Sequence, residues 1–390
     1  MAMINRRTAL TASSALAAFG VSPSLAATKS AASPDIEPRG SDGRLERLPT
    51  LDLESRHDFI CGVNKFANAE LRTVSRARIG ELAKRAGLDP KAAVAPADAL
   101  KLFGTDPAVR IRDRVWHSAH NYEHDILDLA FHSDGDAYLA EMEAYDKRGP
   151  GKLILNPEIS IPGYTRHEIH QQPGGYVGNP FAGHIYHYAT NVFYRAANNQ
   201  DERHKGYAAA CPTPADGKVA RILDIGTGIG QLAVAMKEKH PASEVHGIDV
   251  AAPMLRYAHM RAVDLGADVT FAQKLAENTH YPDGHFDIVV SYILFHEVTA
   301  EATKAIIAEA RRILRPGGVF FPLDFNTKAP PSPEASYSVW IDHRWNNEVW
   351  RLEYASLDFA AEMTKAGFDV ADKAGAAAGT FGTVVGVKRA

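Results

Sequence analysis

The 390-residue sequence contains only two cysteines, Cys61 and Cys211. Two cysteines cannot build a disulfide framework and do not fit a zinc pattern, so we expect two unrelated buried thiols, with a single disulfide as the alternative. No apolar segment is long enough to predict a membrane-spanning helix. The 43 basic and 47 acidic residues nearly cancel, and no basic run stands out, which disfavours nucleic acid as a partner.

The first 27 residues have the composition of an export signal. A pair of arginines, Arg6 and Arg7, precedes an alanine-rich apolar segment and small residues at 24–27. The pair suggests the twin-arginine route, although Ala9 stands where a phenylalanine is usual. We therefore expect a periplasmic or exported protein, not inserted in the membrane after signal removal; a frayed tail on a cytoplasmic protein is the alternative.

Composition and periodicity divide the rest of the chain. Residues 28–50 are rich in serine, proline and charge and predict a linker. Apolar residues at helical spacing predict an all-helical N-terminal domain over 51–147. Prolines and glycines predict a loop-rich connector over 148–217. Residues 218–390 alternate strands with helices, which predicts a parallel sheet covered on both faces, interrupted by an aromatic insertion at 326–354.

One stretch of this last region has the pattern of a nucleotide-cofactor cradle. An apolar strand over 219–225 is followed at once by three glycines at alternate positions: Gly226, Gly228 and Gly230. A bare backbone at the start of a helix allows a cofactor to approach closely. The next strand ends at Asp249, where a carboxylate can accept both hydroxyls of a ribose.

The glycine spacing indicates which cofactors do not fit. A dinucleotide fingerprint needs a glycine at the position of Gln231, so NAD and FAD are disfavoured. A phosphate-binding P-loop needs a Gly-Lys-Ser/Thr ending, which is absent.

Four collinear blocks resemble the class I S-adenosylmethionine-dependent methyltransferases, in the ubiquinone/menaquinone-methylase-like (methyltransferase type 11) group. The blocks are 224–230, 281–291, 295–298 and 313–319. The resemblance implies S-adenosyl-L-methionine as cofactor and an α/β, Rossmann-like doubly wound sheet with an antiparallel closing strand. It also implies that the connector before the glycine loop caps the substrate.

The resemblance assigns the cofactor site residue by residue. The expected cofactor-binding residues are Asp224, Gly226, Thr227, Gly228, Gly230, Asp249, Val250, Met254, Ala276 and Glu277. Asp224 would orient the loop or meet the amino group of the cofactor, and Asp249 would bind the ribose. Leu275 stands where the family often has an acidic residue for the adenine, so the backbone of Ala276, or Glu277 or Gln273, would substitute.

Catalysis is expected just past the fourth strand of the sheet. Methyl transfer is an in-line displacement, and a base helps when the nucleophile carries a proton. His296 is the leading candidate for that base, with Tyr292 and Glu297 as second choices. A structural histidine that positions a loop is the alternative.

Aromatic residues suggest where the acceptor binds. Tyr176 and Tyr186 precede the glycine loop, and Trp340 and Trp345 lie in the aromatic insertion. We expect them to form a substrate pocket for a small or medium, apolar or aromatic acceptor. The alternative is that they fill interdomain cores.

Histidines flank the connector in two H-x-x-H pairs, His167 with His170 and His184 with His187. Such pairs can bind metal, but no cysteine or carboxylate completes a recognised signature, so we expect no metal site.

The sequence thus predicts a methyltransferase that modifies oxygen, nitrogen or carbon of a small molecule, with no prediction of oligomeric state. An exported protein lacks an obvious supply of S-adenosylmethionine. A non-catalytic protein that binds this cofactor or another ligand on the same fold is therefore the alternative, and a hydrolase or decarboxylase is a third.

Overall fold

The structure is a computed structural model that describes residues 41–89, 91–325, 332–372 and 381–389. The predicted export signal, most of the predicted linker and the start of the aromatic insertion lie outside the described residues.

The described part of the chain starts with a small hairpin and a helical region. The elements are β1 (Ser41–Asp42), β2 (Leu45–Glu46), α1 (Leu51–Phe66), α2 (Arg72–Arg85), α3 (Pro96–Phe103), α4 (Pro107–Ser133) and α5 (Gly135–Tyr145). Helix α1 begins after Thr50, whose hydroxyl accepts the N–H of Leu53 at 3.2 Å, and a π-helical turn at Ala67–Leu71 joins it to α2. The predicted helical N-terminal region is confirmed.

The connector contains more regular structure than its prolines and glycines suggest. It forms β3 (Lys152–Ile154), two 3₁₀ turns (Gly163–Thr165 and Ile169–Gln171), α6 (Gly175–Gly178), α7 (Ala182–Phe193) and α8 (Glu202–Ala210). Strand β3 pairs in parallel with a strand far along the chain, so its three residues join the main sheet.

The remaining elements alternate as predicted. The strands are β4 (Arg221–Ile225), β5 (Glu244–Asp249), β6 (Val269–Gln273), β7 (Phe286–Tyr292), β8 (Leu314–Phe325), β9 (Phe368–Asp372) and β10 (Phe381–Lys388). The helices are α9 (Gln231–Lys239), α10 (Ala252–Asp264), α11 (Ala300–Ile313), α12 (Pro333–Trp345), α13 (Arg351–Ala355) and α14 (Phe359–Ala366).

These strands form one eight-stranded sheet in the order β3-β6-β5-β4-β7-β8-β10-β9. Strand β10 runs antiparallel between β8 and β9, and the other paired strands are parallel. The predicted doubly wound α/β sheet with an antiparallel closing strand is confirmed. The strand order reverses between β4 and β7, and open α/β sheets bind ligands at the carboxyl ends of the strands at such a point.

Both faces of the sheet are buried, which explains the continuous apolar runs of its central strands. Ile222 and Phe271 pack with the α9 and α10 side, whereas Leu223 and Phe320 pack with Ile306 of α11 on the other. These two cores fix the strand ends that carry the site.

The aromatic insertion joins the helical region to the sheet. Tyr337 and Ile341 of α12 are buried against Phe103, and Trp340 and Trp345 pack on the same cluster. The Tyr337 hydroxyl donates to Asp113 of α4 at 2.7 Å. The tryptophans therefore pack in an interdomain core, which was the alternative to a pocket wall.

Within the described ranges, no helix has both the length and the apolar character needed to cross a membrane.

Candidate cofactor and acceptor site

The three loop glycines all adopt left-handed backbone conformations, with φ of 66°, 52° and 75° at Gly226, Gly228 and Gly230. A Cβ added at Gly226 would lie 2.8 Å from Leu294 Cδ1, and one at Gly230 would lie 2.6 Å from Phe271 Cζ. At Gly228 the nearest neighbour would be Met254 Cε at 3.7 Å. Gly230 therefore allows the loop to pack on the sheet, whereas a Cβ at Gly228 would clash with no protein atom and would point toward Met254 at ordinary contact distance.

Asp224 supports the loop from behind. Its Oδ2 accepts the hydroxyl of Thr227 at 2.7 Å, and burial raises the pKa of Asp224 to about 7. Asp224, Thr227 and Gly230 do not line the cavity in front of the loop. Of the two roles predicted for Asp224, the geometry favours orienting the loop.

Asp249 ties the end of β5 to the glycine loop. Its Oδ2 accepts the N–H of Gly228 and its Oδ1 the N–H of Ala251, both at 2.9 Å. Burial raises the pKa of Asp249 to about 6, because these backbone N–H groups only partly offset the loss of hydration.

A cavity of about 110 Å³ lies in front of the loop, at the carboxyl ends of β4 to β7. The predicted cofactor residues that line it are Gly226, Gly228, Asp249, Val250, Met254, Ala276 and Glu277. Tyr176, Tyr292 and Glu297 also line it. The strand ends thus bring together most of the residues that the sequence assigned to the cofactor.

A second cavity of about 330 Å³ lies between the helical region, α7 and α12. Tyr186 and Ile293 line both cavities, so the two spaces share a wall. Trp340 and Trp345 line neither cavity, which corrects their assignment to the substrate pocket. They pack instead on the buried side of α12.

Ile293 holds an unfavourable backbone conformation at this shared wall. Its φ is 49°, in the left-handed region that a β-branched residue rarely adopts. Its N–H donates to the carbonyl of Leu323 at 2.7 Å, which fixes the turn directly after β7. Strain of this kind is concentrated at functional sites.

A row of acids and histidines, three of them buried and two half-buried, lies in the wall between the cavities: Glu348, His296 and Asp324 are buried, and Glu297 and His170 are half-buried. Nε2 of His170 lies 3.4 Å from Oε1 of Glu297, and its Nδ1 lies 3.2 Å from Oε1 of Glu348. Nε2 of His296 lies 3.6 Å from Oε2 of Glu348, and its Nδ1 lies 2.7 Å from Oδ1 of Asp324.

Comparison with known proteins assigns this region. Residues 222–318 match the methyltransferase domain family. Demethylmenaquinone methyltransferase of Thermus thermophilus is 40% identical over 119 residues, which are 30% of this chain and 51% of that protein. A ubiquinone/menaquinone biosynthesis C-methyltransferase of Cupriavidus pinatubonensis is 34% identical over 148 residues, 37% of this chain and 60% of that protein. The chain thus spans about half of the length of the curated relatives it matches.

A likeness among solved structures is to phosphoethanolamine N-methyltransferase 2 of Haemonchus contortus in complex with S-adenosyl-L-methionine. The TM-score is 0.38 at 18% identity, over 49% of this chain and 53% of that chain.

Residues 222–318 are thus similar to a methyltransferase domain, and the residues that line the smaller cavity suit S-adenosylmethionine. The space in front of Gly228 is the cradle that a side chain would fill. Asp249 lies where the fold presents a carboxylate to a ribose, and Val250 and Met254 provide apolar surface beside it.

Connector residues hold the residues at the end of β6 that were predicted to meet the adenine, in a way that the sequence did not indicate. The Tyr164 hydroxyl donates to Glu277, and the N–H of Asn156 donates to Gln273 Oε1 at 3.0 Å. Gln273 in turn donates to the carbonyl of Val250 at 2.9 Å. Two of the predicted adenine acceptors therefore already have partners in the connector.

The protonation of His296 differs from what a general base requires. Burial lowers the pKa of His296, but the charges of Asp324 and Glu348 outweigh burial and raise the pKa to about 9. A histidine that keeps its proton at neutral pH donates rather than accepts, so the pKa disfavours the predicted base role. Tyr292 also keeps its proton, since burial raises its pKa well above 10, and its hydroxyl lies 2.6 Å from that of Tyr194.

Glu348 and His170 join the site although no catalytic role was predicted for them. Burial raises the pKa of Glu348 despite the two nearby imidazoles. Burial lowers the pKa of His170, but the Glu348 and Glu297 carboxylates reverse that effect and raise it. The H-x-x-H pattern marked His170, whereas nothing local marks Glu348.

The other histidines of the two pairs do not gather around one point. Nδ1 of His187 lies 2.8 Å from the Tyr257 hydroxyl, and Nδ1 of His167 lies 3.1 Å from the Tyr164 carbonyl. Among the described residues, no group of three or more His, Cys, Asp or Glu could hold a metal ion.

Proposed function

We propose that the protein transfers a methyl group from S-adenosylmethionine in the smaller cavity to a small molecule in the larger one. The observation that carries the proposal is the wall that the cavities share at Tyr186 and Ile293. Two adjoining spaces, one with a nucleoside cradle, are what a two-substrate transfer requires. The similarity of residues 222–318 to methyltransferases supports the same activity.

S-adenosylmethionine supplies an electrophilic methyl group on a sulfonium ion. The protein would contribute position, because holding a nucleophile in line with that methyl removes most of the entropic barrier. Bare backbone at Gly226 and Gly228 and the carboxylate of Asp249 would fix the nucleoside. Tyr186 and Ile293 would then set the distance between the two substrates.

The acid–histidine row between the cavities would donate hydrogen bonds to the acceptor and take up its proton. Protonated His296 can donate a hydrogen bond to an acceptor oxygen or nitrogen. Glu348, whose Oε2 has no hydrogen-bond partner in the described structure, can accept a proton from a protic nucleophile. That proton would leave the nucleophile as its bond to the methyl carbon forms.

The larger cavity gives the acceptor a partly aromatic surface, with Trp116 and Tyr186 in its lining. A small or medium acceptor with an aromatic or apolar part suits these walls. The acceptor atom stays open between oxygen, nitrogen and carbon.

Incubation of the full chain with methyl-labelled S-adenosylmethionine and a cell extract tests the proposal. We expect the label to appear in a small-molecule product, together with S-adenosylhomocysteine. Cofactor binding without labelled product would instead support a binding protein, and absence of cofactor binding would refute both functions.

We further propose that residues 1–27 direct export. The support is the arginine pair and the small residues at 24–27. Fractionation of cells that express the wild type and an Arg6→Lys/Arg7→Lys variant tests it. Equal distribution of both proteins in the cytoplasm would refute export.

A further inference from the structure

Two of the arginines that line the larger cavity form no ion pair with its own carboxylates in the described part of the chain. Four arginines line it: Arg72, Arg112, Arg195 and Arg203. Arg72 lies 3.6 Å from Glu334, and Arg112 lies 3.2 Å from Asp113.

The other lining carboxylates have partners elsewhere. Asp342 lies 3.7 Å from Arg351, and Glu348 faces His170 and His296. Within the described residues, no ion pair engages Arg195 or Arg203. The guanidinium groups of Arg195 and Arg203 are therefore available to bind an anionic ligand.

Arg195 and Arg203 both lie beside Tyr194. Both are exposed yet belong to the lining. Both flank Tyr194: Arg195 follows it in the chain, and the guanidinium carbon of Arg203 lies 4.8 Å from the centre of its ring. Arg195 also has a φ of 57°, so the chain turns sharply at this point, directly after α7.

Apolar surface continues from these arginines into the cavity. Phe193 lines the cavity and is 52% exposed, so its ring adds accessible apolar surface to the lining. Tyr186 precedes Phe193 on the same helix, α7, and lines the wall that the larger cavity shares with the smaller one. One helix thus runs from the region of these arginines toward the predicted reaction point.

We propose that the methyl acceptor is an amphiphilic anion, with a carboxylate or phosphate bound by Arg195 and Arg203 and an apolar body directed toward Tyr186 and Ile293. That this ligand is the methyl acceptor rests on the proposed methyl transfer. Guanidinium groups bind both kinds of anion through paired, charge-assisted hydrogen bonds. The apolar body would cover Phe193 and carry the reactive group toward Glu348.

Calorimetry with three matched probes tests the anion site on the full chain. Naphthoate and naphthyl phosphate carry the two candidate anions, and naphthamide is their uncharged counterpart. We expect at least one anion to bind about tenfold or more tighter than naphthamide, and to weaken as salt is raised. The preferred anion identifies the acceptor as a carboxylate or a phosphate.

An Arg195→Gln/Arg203→Gln variant should lose this preference. Arg85→Gln is the matched control, because Arg85 is an exposed arginine outside the cavity lining. Equal binding of all three probes, no binding of any probe, or a preference that survives in the double variant would overturn the proposal.

Cofactor titration on the same samples keeps the two proposals separate. Anion preference without S-adenosylmethionine binding would refute methyl transfer while leaving the arginine site in place. Cofactor binding with labelled product but no anion preference would refute the arginine site alone.

Discussion

Nδ1 of His296 and Oδ1 of Asp324 lie 2.7 Å apart in the buried wall between the two cavities. The pair joins the turn after β7 to the end of β8, and Asp324 also accepts the N–H of Phe295 at 2.7 Å. The contact therefore fixes the loop that carries Ile293 and Glu297, in addition to setting the charge of His296.

The charge of His296 makes stability depend on pH. The folded pKa of about 9 lies above the ordinary value of 6.5, so the contribution is complete below pH 6.5 and is lost as pH rises toward 9. We expect Asp324→Asn to lower the free energy of unfolding by roughly 3 kcal/mol at neutral pH. Denaturant unfolding from pH 6 to 9 and NMR titration of the imidazole measure both effects. A wild-type His296 that titrates near 6.5 would contradict this interpretation.

Glu348→Gln tests the proton acceptor. If Glu348 takes the proton of the nucleophile, the rate of methyl transfer should fall by about 100-fold or more, with Glu348→Asp retaining part of it. Cofactor affinity should stay unchanged, because Glu348 does not line the cofactor cavity. The measurement is the rate of S-adenosylhomocysteine formation with the extract fraction that yields labelled product. A full rate in the glutamine variant would exclude Glu348 as the base.

Gly228→Ala and Gly230→Ala should separate binding from folding. Both substitutions put a side chain at positive φ and lose about 1 kcal/mol of stability for that reason. Gly230→Ala should cost roughly 1–3 kcal/mol more, since its Cβ would lie 2.6 Å from Phe271 Cζ. Gly228→Ala should instead weaken S-adenosylmethionine binding. Thermal unfolding and calorimetry on the two proteins check this, and similar stabilities with equal cofactor affinity would contradict it.

The sequence predicted the sheet and the cofactor loop because their signals are local. Apolar strand runs, the glycines after β4 and the carboxylate at the end of β5 all fall at fixed short spacings. The geometry also divides the glycines further than the pattern did: Gly230 serves packing, and Gly228 faces the cavity.

The acid–histidine row could not be predicted in the same way. His170 comes from the connector, His296 from the turn after β7 and Glu348 from the segment after α12. Only the packing of all three segments brings them together. Strand β3 escaped prediction for a similar reason, because its three residues gain their strand character from pairing with β6.

The tryptophans show how composition alone can mislead. Tryptophan suits both an aromatic pocket and an apolar interface, and only the position of α12 decides between them. We expect Trp340→Ala to lower the free energy of unfolding by about 2 kcal/mol, without changing affinity for the naphthyl probes of the larger cavity. Denaturant unfolding with parallel calorimetry measures both quantities. Unchanged stability together with weaker probe binding would instead show that Trp340 lines the substrate pocket.

The central claim is that the glycine loop and Asp249 bind S-adenosylmethionine. Calorimetric titration of the full chain with the cofactor, for the wild type and Asp249→Asn from pH 5 to 8, tests it most directly. The pKa of Asp249 is raised to about 6, so wild-type affinity should fall as pH drops through that value. We predict that Asp249→Asn binds about tenfold or more weakly at pH 8 and lacks this acid-dependent fall. Equal affinity of the two folded proteins across that range, or no binding to the wild type, would contradict the account.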